Sequence, residues 1–283
     1  MQNLYKTLRE VRLNQNFSQK YVIGNKISQS NYSKFEQKQI EINMSSFLYI
    51  VEKLEVSIEE IEFIHNNYQY SMRGKILKLF YEEPFNNKEK LLELIKQCTI
   101  FLEIKEDIFI KDILFICQSL LVLLETDDYS LTSISANKVW DRLSKKDHLY
   151  INDIYLLNCI LFIFPLETAK ELKKFLEKSI ERYHGFKNVN VVNVNLRLNF
   201  ALLLIRDRDY KEAYKELIHT EELCKKFHYS VQLAICFIRK GICLNSLNGE
   251  GEEWIEKGKT ILSLLEENVA LKLIKEEIKK YSN

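Results

Sequence analysis

The chain has almost no turn chemistry: its 283 residues include only seven Gly and two Pro. Those two residues punctuate hairpins and irregular loops, so their scarcity excludes a loop-dominated or glycine-rich architecture. Leu, Ile, Lys, Glu and Asn dominate instead, and so many helix formers predict an almost all-α protein with short connections. The cysteines lack any metal or redox spacing. None of Cys98, Cys117, Cys159, Cys224, Cys236 and Cys243 forms a CxxC, and most lie inside apolar runs such as LFICQSLL and LLNCILF. They read as small core residues of a reduced cytoplasmic protein, with no disulfide and no metal expected. Long apolar runs are missing too. LLNCILFIFPL and FALLLI are too short to span a bilayer and the first residues are polar, so neither a membrane partner nor a signal peptide is expected.

Catalytic patterns are equally scarce. His65, His148, His184, His219 and His228 fall in no HExxH, glycine-rich phosphate loop or nucleophile elbow. His184 precedes Gly185, where a helix C-terminus favours a basic side chain. The pairs Glu59-Glu60 and Glu276-Glu277 read as solvated helix faces. The expectation is a protein that is not an enzyme and needs no cofactor.

What the chain does have is patterned charge and patterned hydrophobicity. The formal net charge of +1 hides an asymmetry. In residues 1–40, Lys6, Arg9, Arg12, Lys20, Lys26, Lys34 and Lys38 face Glu10 and Glu36, a net of +5. In residues 41–64, Glu41, Glu52, Glu55, Glu59, Glu60 and Glu62 face Lys53, a net of −5. A basic half suits phosphate contacts and an acidic half would turn away from them.

Five short helices are predicted in that region. Leu4, Leu8 and Val11 recur at helical spacing over Leu4 to Asn14. Ser18, led in by Phe17, caps a second helix over Gln19 to Asn25, with Gly24-Asn25 at the turn. Ser28 caps a third over Gln29 to Gln37, with Tyr32 and Phe35 inward. Asn43 or Ser45 opens a fourth, and Ser57 with Glu60 makes a capping box for a fifth. The polar break His65–Tyr70 predicts a boundary between a domain at 1–65 and a second at 66–283. Beyond it, amphipathic helices follow one another, separated at Pro84, Asp127-Asp128, Pro165, Gly185, Asp207–Asp209 and Asn248-Gly249. The junctions PLETA, RDYKEA and GEGEEW recur about every 40–45 residues, as helix-pair repeats do. Such repeats stack into a solenoid with a concave inner face.

The segments LREVRLNQNFSQ and ISQSNYSKFEQ, with the apolar helix before VSIEEI, resemble the lambda-repressor-like (Xre-type) helix-turn-helix domain. That resemblance makes SQSNYSKFE the recognition helix and gives Gln19 a phosphate contact. The sequence departs from the pattern in two places: the Ser18–Ile27 segment is about one residue short, and Lys38 or Gln39 stands where a Gly is usual. On the outer side, Gln29, Ser30, Asn31 and Lys34 form a candidate base-reading set. Gln and Asn can bond adenine in two places, Lys reaches guanine acceptors, and Ser contacts base or phosphate. Gln19 and Ser33 would hold the backbone, with Lys26 and Arg12 adding phosphate charge. A polar face of an interaction-only bundle would carry the same residues.

A second stripe lies in the repeats, where Asn195, Asn199, Leu202 and Arg206 follow at steps of four, three and four. Aligned with the repeat turn at Asp209-Tyr210, the stripe faces the concavity. Asn152, Tyr155 and Asn158 precede it and Arg239 follows. Asn can clamp both the N–H and the C=O of an extended peptide, and Arg can take a carboxylate in two places. A short hydrophobic linear peptide is the expected ligand.

SQSNYSKFEQKQIEI, FLYIVEKLEVSIEEI and VWDRLSKKDHLYINDIYLLNCILFIFPLETA resemble the Rgg/GadR/MutR regulators of the RRNPP peptide-responsive group, over essentially the full length. The resemblance implies an all-α chain: an Xre-type head followed by a TPR-like right-handed α-solenoid. It implies a homodimer with residues 250–283 in the dimer contact, an inverted-repeat double-stranded DNA operator, and a short signalling (pheromone) peptide that changes operator affinity or RNA polymerase contact. A protein-interaction adaptor and a ligand-independent dimeric regulator are the alternative readings.

Overall fold

The computed structural model describes residues 4–82 and 87–281, and among these every regular element is a helix. The predicted break at Pro84 lies outside the described residues. The chain divides into two compact units, Met1–Lys78 and Leu79–Asn283.

The first unit holds α1 (Leu4–Asn14), α2 (Gln19–Ile23), α3 (Gln29–Glu36), α4 (Met44–Lys53) and α5 (Ile58–His65). Caps set the helix starts. The hydroxyls of Ser18, Ser28 and Ser57 and the amide oxygen of Asn43 each accept a backbone N–H three residues on, satisfying donors that a first turn leaves orphaned. Leu8, Val11, Val22, Tyr32, Ile50, Leu54 and Ile61 form the core shared by all five helices. His65 closes it: its Nδ1 lies 3.0 Å from the Thr7 hydroxyl, tying the end of α5 to α1.

The division between units falls inside α6 (Met72–Glu82), beyond the predicted break at residues 65–70. The reason is aromatic. Tyr70 packs against Phe63 with centroids 5.2 Å apart, and Lys78 lies 5.1 Å above the Tyr70 ring, so the connection and the first turns of α6 belong to the head.

The second unit contains α7 (Lys88–Ile104), α8 (Ile108–Thr126), α9 (Tyr129–Leu143), α10 (Ile151–Cys159), α11 (Leu166–Glu181), α12 (Val189–Arg206), α13 (Tyr210–Phe227), α14 (Ser230–Leu247), α15 (Glu252–Leu264) and α16 (Asn268–Tyr281). Each packs on the next, and α8, α10, α12, α14 and α16 also touch in that order, making an inner row with α9, α11, α13 and α15 outside it. This is the helix-pair solenoid expected of the repeats.

Charged side chains brace the layers. Arg197 on α12 sits between Glu177 of α11 at 2.5 Å and Glu216 of α13 at 2.6 Å. Close backbone approach does the same for α14 and α15. A Cβ on Gly241 would lie 2.5 Å from the Gly251 carbonyl oxygen, and one on Gly258 2.5 Å from that of Ala234. Helix α12 is long and apolar enough to cross a membrane by length and composition, and here it is packed among α10, α11, α13 and α14. All six cysteines are free, and burial pushes their thiols up, Cys98 and Cys243 to about 12, which keeps them protonated.

Candidate functional site

Helices α2 and α3 meet at a turn that only glycine fits. Gly24 ends α2 at φ 48° and ψ −130°, and a Cβ there would come within 2.2 Å of the Tyr49 hydroxyl on α4. Tyr49 therefore sets the separation of α2 from α4, and the Lys26 ammonium sits 4.6 Å above its ring while staying exposed. After α3 the chain turns with Lys38 at φ 64°, so a lysine takes the left-handed position where the sequence pattern has glycine.

On α3, Tyr32, Phe35 and Glu36 are buried while Gln29, Ser30, Asn31 and Lys34 are exposed. At 3.6 residues per turn, Gln29, Ser33, Gln37, Ser30 and Lys34 share one strip, with Asn31 on its flank. Gln37 belongs there although the sequence reading passed over it; its position four residues after Ser33 is the available signal, and it donates to the Ser33 hydroxyl at 3.3 Å.

Behind the strip runs a chain of hydrogen bonds. Arg12 donates Nε–H and Nη2–H to the two oxygens of Glu36 at 2.6 and 2.8 Å, and Nη1–H to the Phe17 carbonyl at 2.8 Å. Gln19 donates to Glu36 at 2.6 Å and accepts from Gln29 Nε2 at 2.7 Å. Burial pushes the Glu36 carboxyl up, but the bonds from Arg12 and Gln19 outweigh it and hold it below the usual carboxylate range.

Arg12, expected to add phosphate charge, is only 7% exposed and gives three of its five N–H donors to Glu36 and Phe17, so its charge braces α1 against α3. The pair joins residues 24 apart, and nothing in local sequence marks it.

In the repeats, the polar stripe turns out to cross-brace the inner row. Asn199 on α12 donates to the side chain of Asn158 on α10 at 3.1 Å. Arg206 donates to the Phe162 carbonyl at 2.9 Å, and Arg239 on α14 donates to the Leu198 carbonyl at 2.8 Å. The partners lie one repeat apart in sequence, so the same geometry recurs from helix to helix. Arg239 also holds Glu277 of α16 through two bonds, at 2.7 and 2.9 Å. Asn158 and Arg239 are buried, and their polar groups serve neighbouring helices. The apolar surroundings explain it, since buried amide and guanidinium groups must find protein partners when water is absent.

Tyr155 is half-buried, its ring 5.4 Å from Phe80 and 4.7 Å from Tyr81. The Tyr81 hydroxyl donates to Asn152, which is exposed. Asn195 and Leu202 are half-buried and Asn199 is exposed. The stripe thus keeps Asn152, Asn195, Asn199 and Leu202 accessible. A separate cavity of about 300 Å³ lies between α8 and α9, lined by Lys111, Asp112, Phe115, Lys138 and Arg142, and includes none of the predicted peptide residues. No cluster of His, Cys, Asp and Glu able to hold a metal occurs among the described residues.

No protein-family model matches the sequence, and no curated protein sequence does. Solved structures match it closely in fold. A candidate transcriptional regulator from Listeria monocytogenes EGD-e is 18% identical with a TM-score of 0.75, over 99% of this chain and 98% of that one. The SHP pheromone receptor Rgg2 of Streptococcus dysgalactiae is 18% identical, with a TM-score of 0.66 over 98% and 99% of the two chains. Bacillus thuringiensis PlcR, solved with the peptide PapR7 and DNA, is 17% identical with a TM-score of 0.69 over 97% and 99%. The fold of this chain, a head of five short helices followed by stacked helix pairs, is shared with these three proteins over nearly the whole of both chains.

Proposed function

We propose that this chain is a transcriptional regulator of the Rgg-like, RRNPP type. Its head, predicted at residues 1–65, reads double-stranded DNA, and its repeats, 66–283, bind a short signalling peptide and form a homodimer. The observation that carries the reading is the strip on α3. Four exposed side chains able to bond base edges stand on the second helix of a helix-turn-helix, and Gln29 is fixed by a bond to Gln19. The basic bias of residues 1–40 supplies the phosphate attraction.

The peptide part is supported by the fold shared with a pheromone receptor and with a regulator solved on its peptide, and by the accessible Asn152, Asn195, Asn199 and Leu202 on the inner row. The dimer part is supported at the α15–α16 corner, where Leu264 is 80% exposed with Leu265 and Val269 nearby in sequence and also exposed. In this reading the protein works in the cytoplasm and catalyses nothing. The test is a mobility shift on the chain's own upstream DNA. Lys34→Ala combined with Gln29→Ala is expected to abolish the shift with circular dichroism unchanged, and undiminished binding by that folded variant would reject the assignment. Fluorescence polarisation with synthetic hydrophobic peptides tests the repeat unit separately.

A further inference from the structure

Away from the head and from the polar stripe of the repeats, cationic side chains gather at the cavity of about 300 Å³ between α8 and α9. That volume is at the lower end of what small-molecule sites enclose. Helix α8 contributes Ile108, Lys111, Asp112 and Phe115, and α9 contributes Lys138 and Arg142, with Glu106 just before α8. Helical spacing explains the convergence. Residues 108, 111, 112 and 115 share one face of α8, and 138 and 142 stand one turn apart on α9. Arg142 donates to Asp112, and the Lys138 ammonium lies 4.6 Å from the centre of the Phe115 ring, so the two stripes meet across the groove.

Most of this positive charge is unpaired. Asp112 is buried and takes the Nη2–H of Arg142. Among the described residues, Nη1 of Arg142 makes no hydrogen bond, and its Nε–H is enclosed without an acceptor. Lys111 and Lys138 are exposed, and neither meets a carboxylate among the described residues. Other lysines of the repeats do: Lys173 pairs with Glu177, and Lys225 and Lys240 pair with Glu221. The five ionisable groups around the cavity carry a net charge of +1, and a concave surface concentrates such a potential and draws anions to it. Apolar side chains flank the charges. Ile108 at the cavity is exposed, and so is Ile134, one turn before Lys138 on the same face of α9.

We infer that the α8–α9 cavity binds a small amphipathic anion, a single carboxylate or phosphate head on an apolar body. Lys111, Lys138 and the free Nη1 of Arg142 hold the head through charge-assisted hydrogen bonds, while Ile108 and Phe115 take the body. Asp112 fixes the guanidinium from the far side and leaves its other donors for the ligand. The cavity includes none of the residues read as peptide ligands, so this site stands or falls independently of the peptide reading.

The test uses the full chain and four probes that share one body: octanoate, octyl phosphate, octanol and octylammonium, each titrated by calorimetry. Both anions are expected to saturate a single site, about tenfold or more tighter than octanol, and octylammonium is expected not to bind. The tighter anion identifies the head group, and equal affinity shows that the site reads charge alone. Lys111→Gln combined with Lys138→Gln changes two exposed residues that hold no ion pair, so circular dichroism should stay native. That variant is expected to weaken both anions about tenfold and to leave octanol unchanged. Reductive methylation read by mass spectrometry places the site: a saturating anion should protect Lys111 and Lys138 but not the exposed Lys145. Equal binding of octanol and the anions overturns the proposal. So does full anion affinity in the folded double variant, or anion binding that leaves Lys111 and Lys138 unprotected.

Discussion

Gln29 donates its side-chain N–H to the amide oxygen of Gln19 at 2.7 Å, so the first residue of α3 is held by the first residue of α2. Gln19 is itself held by Glu36, which leaves its amide one orientation and fixes which edge of Gln29 is presented. Gln19→Ala is expected to lower operator affinity about tenfold with no loss of helix content. Lys34→Ala should instead lower the salt dependence of binding by about one unit of slope. Titrations at several salt concentrations separate the two.

The pair Arg12–Glu36 is buried on both sides. Arg12→Ala strands the carboxylate and is expected to destabilise the head by about 3–5 kcal/mol. Arg12→Met with Glu36→Leu removes both charges and should recover most of that loss. Urea unfolding monitored in the head measures both, and a cost below about 1 kcal/mol for the single variant would place Arg12 outside the brace.

Glu36 is held below the usual carboxylate range, so between its folded and unfolded pKa the unfolded head binds more protons. The stability it contributes is complete above the unfolded value of about 4.3 and drains away as pH falls through the folded value. Hydrogen-exchange protection factors in α1 and α3, which are normalised to the intrinsic rate at each pH, should therefore fall in acid, and Glu36→Gln should flatten that dependence.

Gly24→Ala places a methyl group where the Tyr49 hydroxyl stands, at a backbone conformation L residues rarely adopt. The expected cost exceeds about 1 kcal/mol. Adding Tyr49→Phe relieves the clash and leaves the backbone strain, so thermal melts of the double variant should recover part of the loss. Complete recovery would show that the clash alone mattered.

In the repeats, Asn158→Ala and Asn195→Ala should part company. Asn158 is buried and receives the Asn199 amide, so its loss is expected to cost about 1–3 kcal/mol in stability. Asn195 is more accessible, and its replacement should leave folding stability within about 1 kcal/mol of native while weakening peptide binding.

The local layers of this protein are legible in its residues. Caps at Ser18, Ser28 and Ser57 and the 3.6-residue spacing of Leu8, Val11, Tyr32 and Phe35 act within a few residues, so helix positions and their inward faces are written there. The strip from Gln29 to Lys34 was legible for the same reason. Tertiary structure alone decided what the polar residues touch. Residue type shows only what the Arg12 and Arg239 side chains can bond. Their actual partners, Glu36 and Glu277, lie 24 and 38 residues away. Only packing brings such carboxylates close, and it does so where burial makes an unpaired charge intolerable.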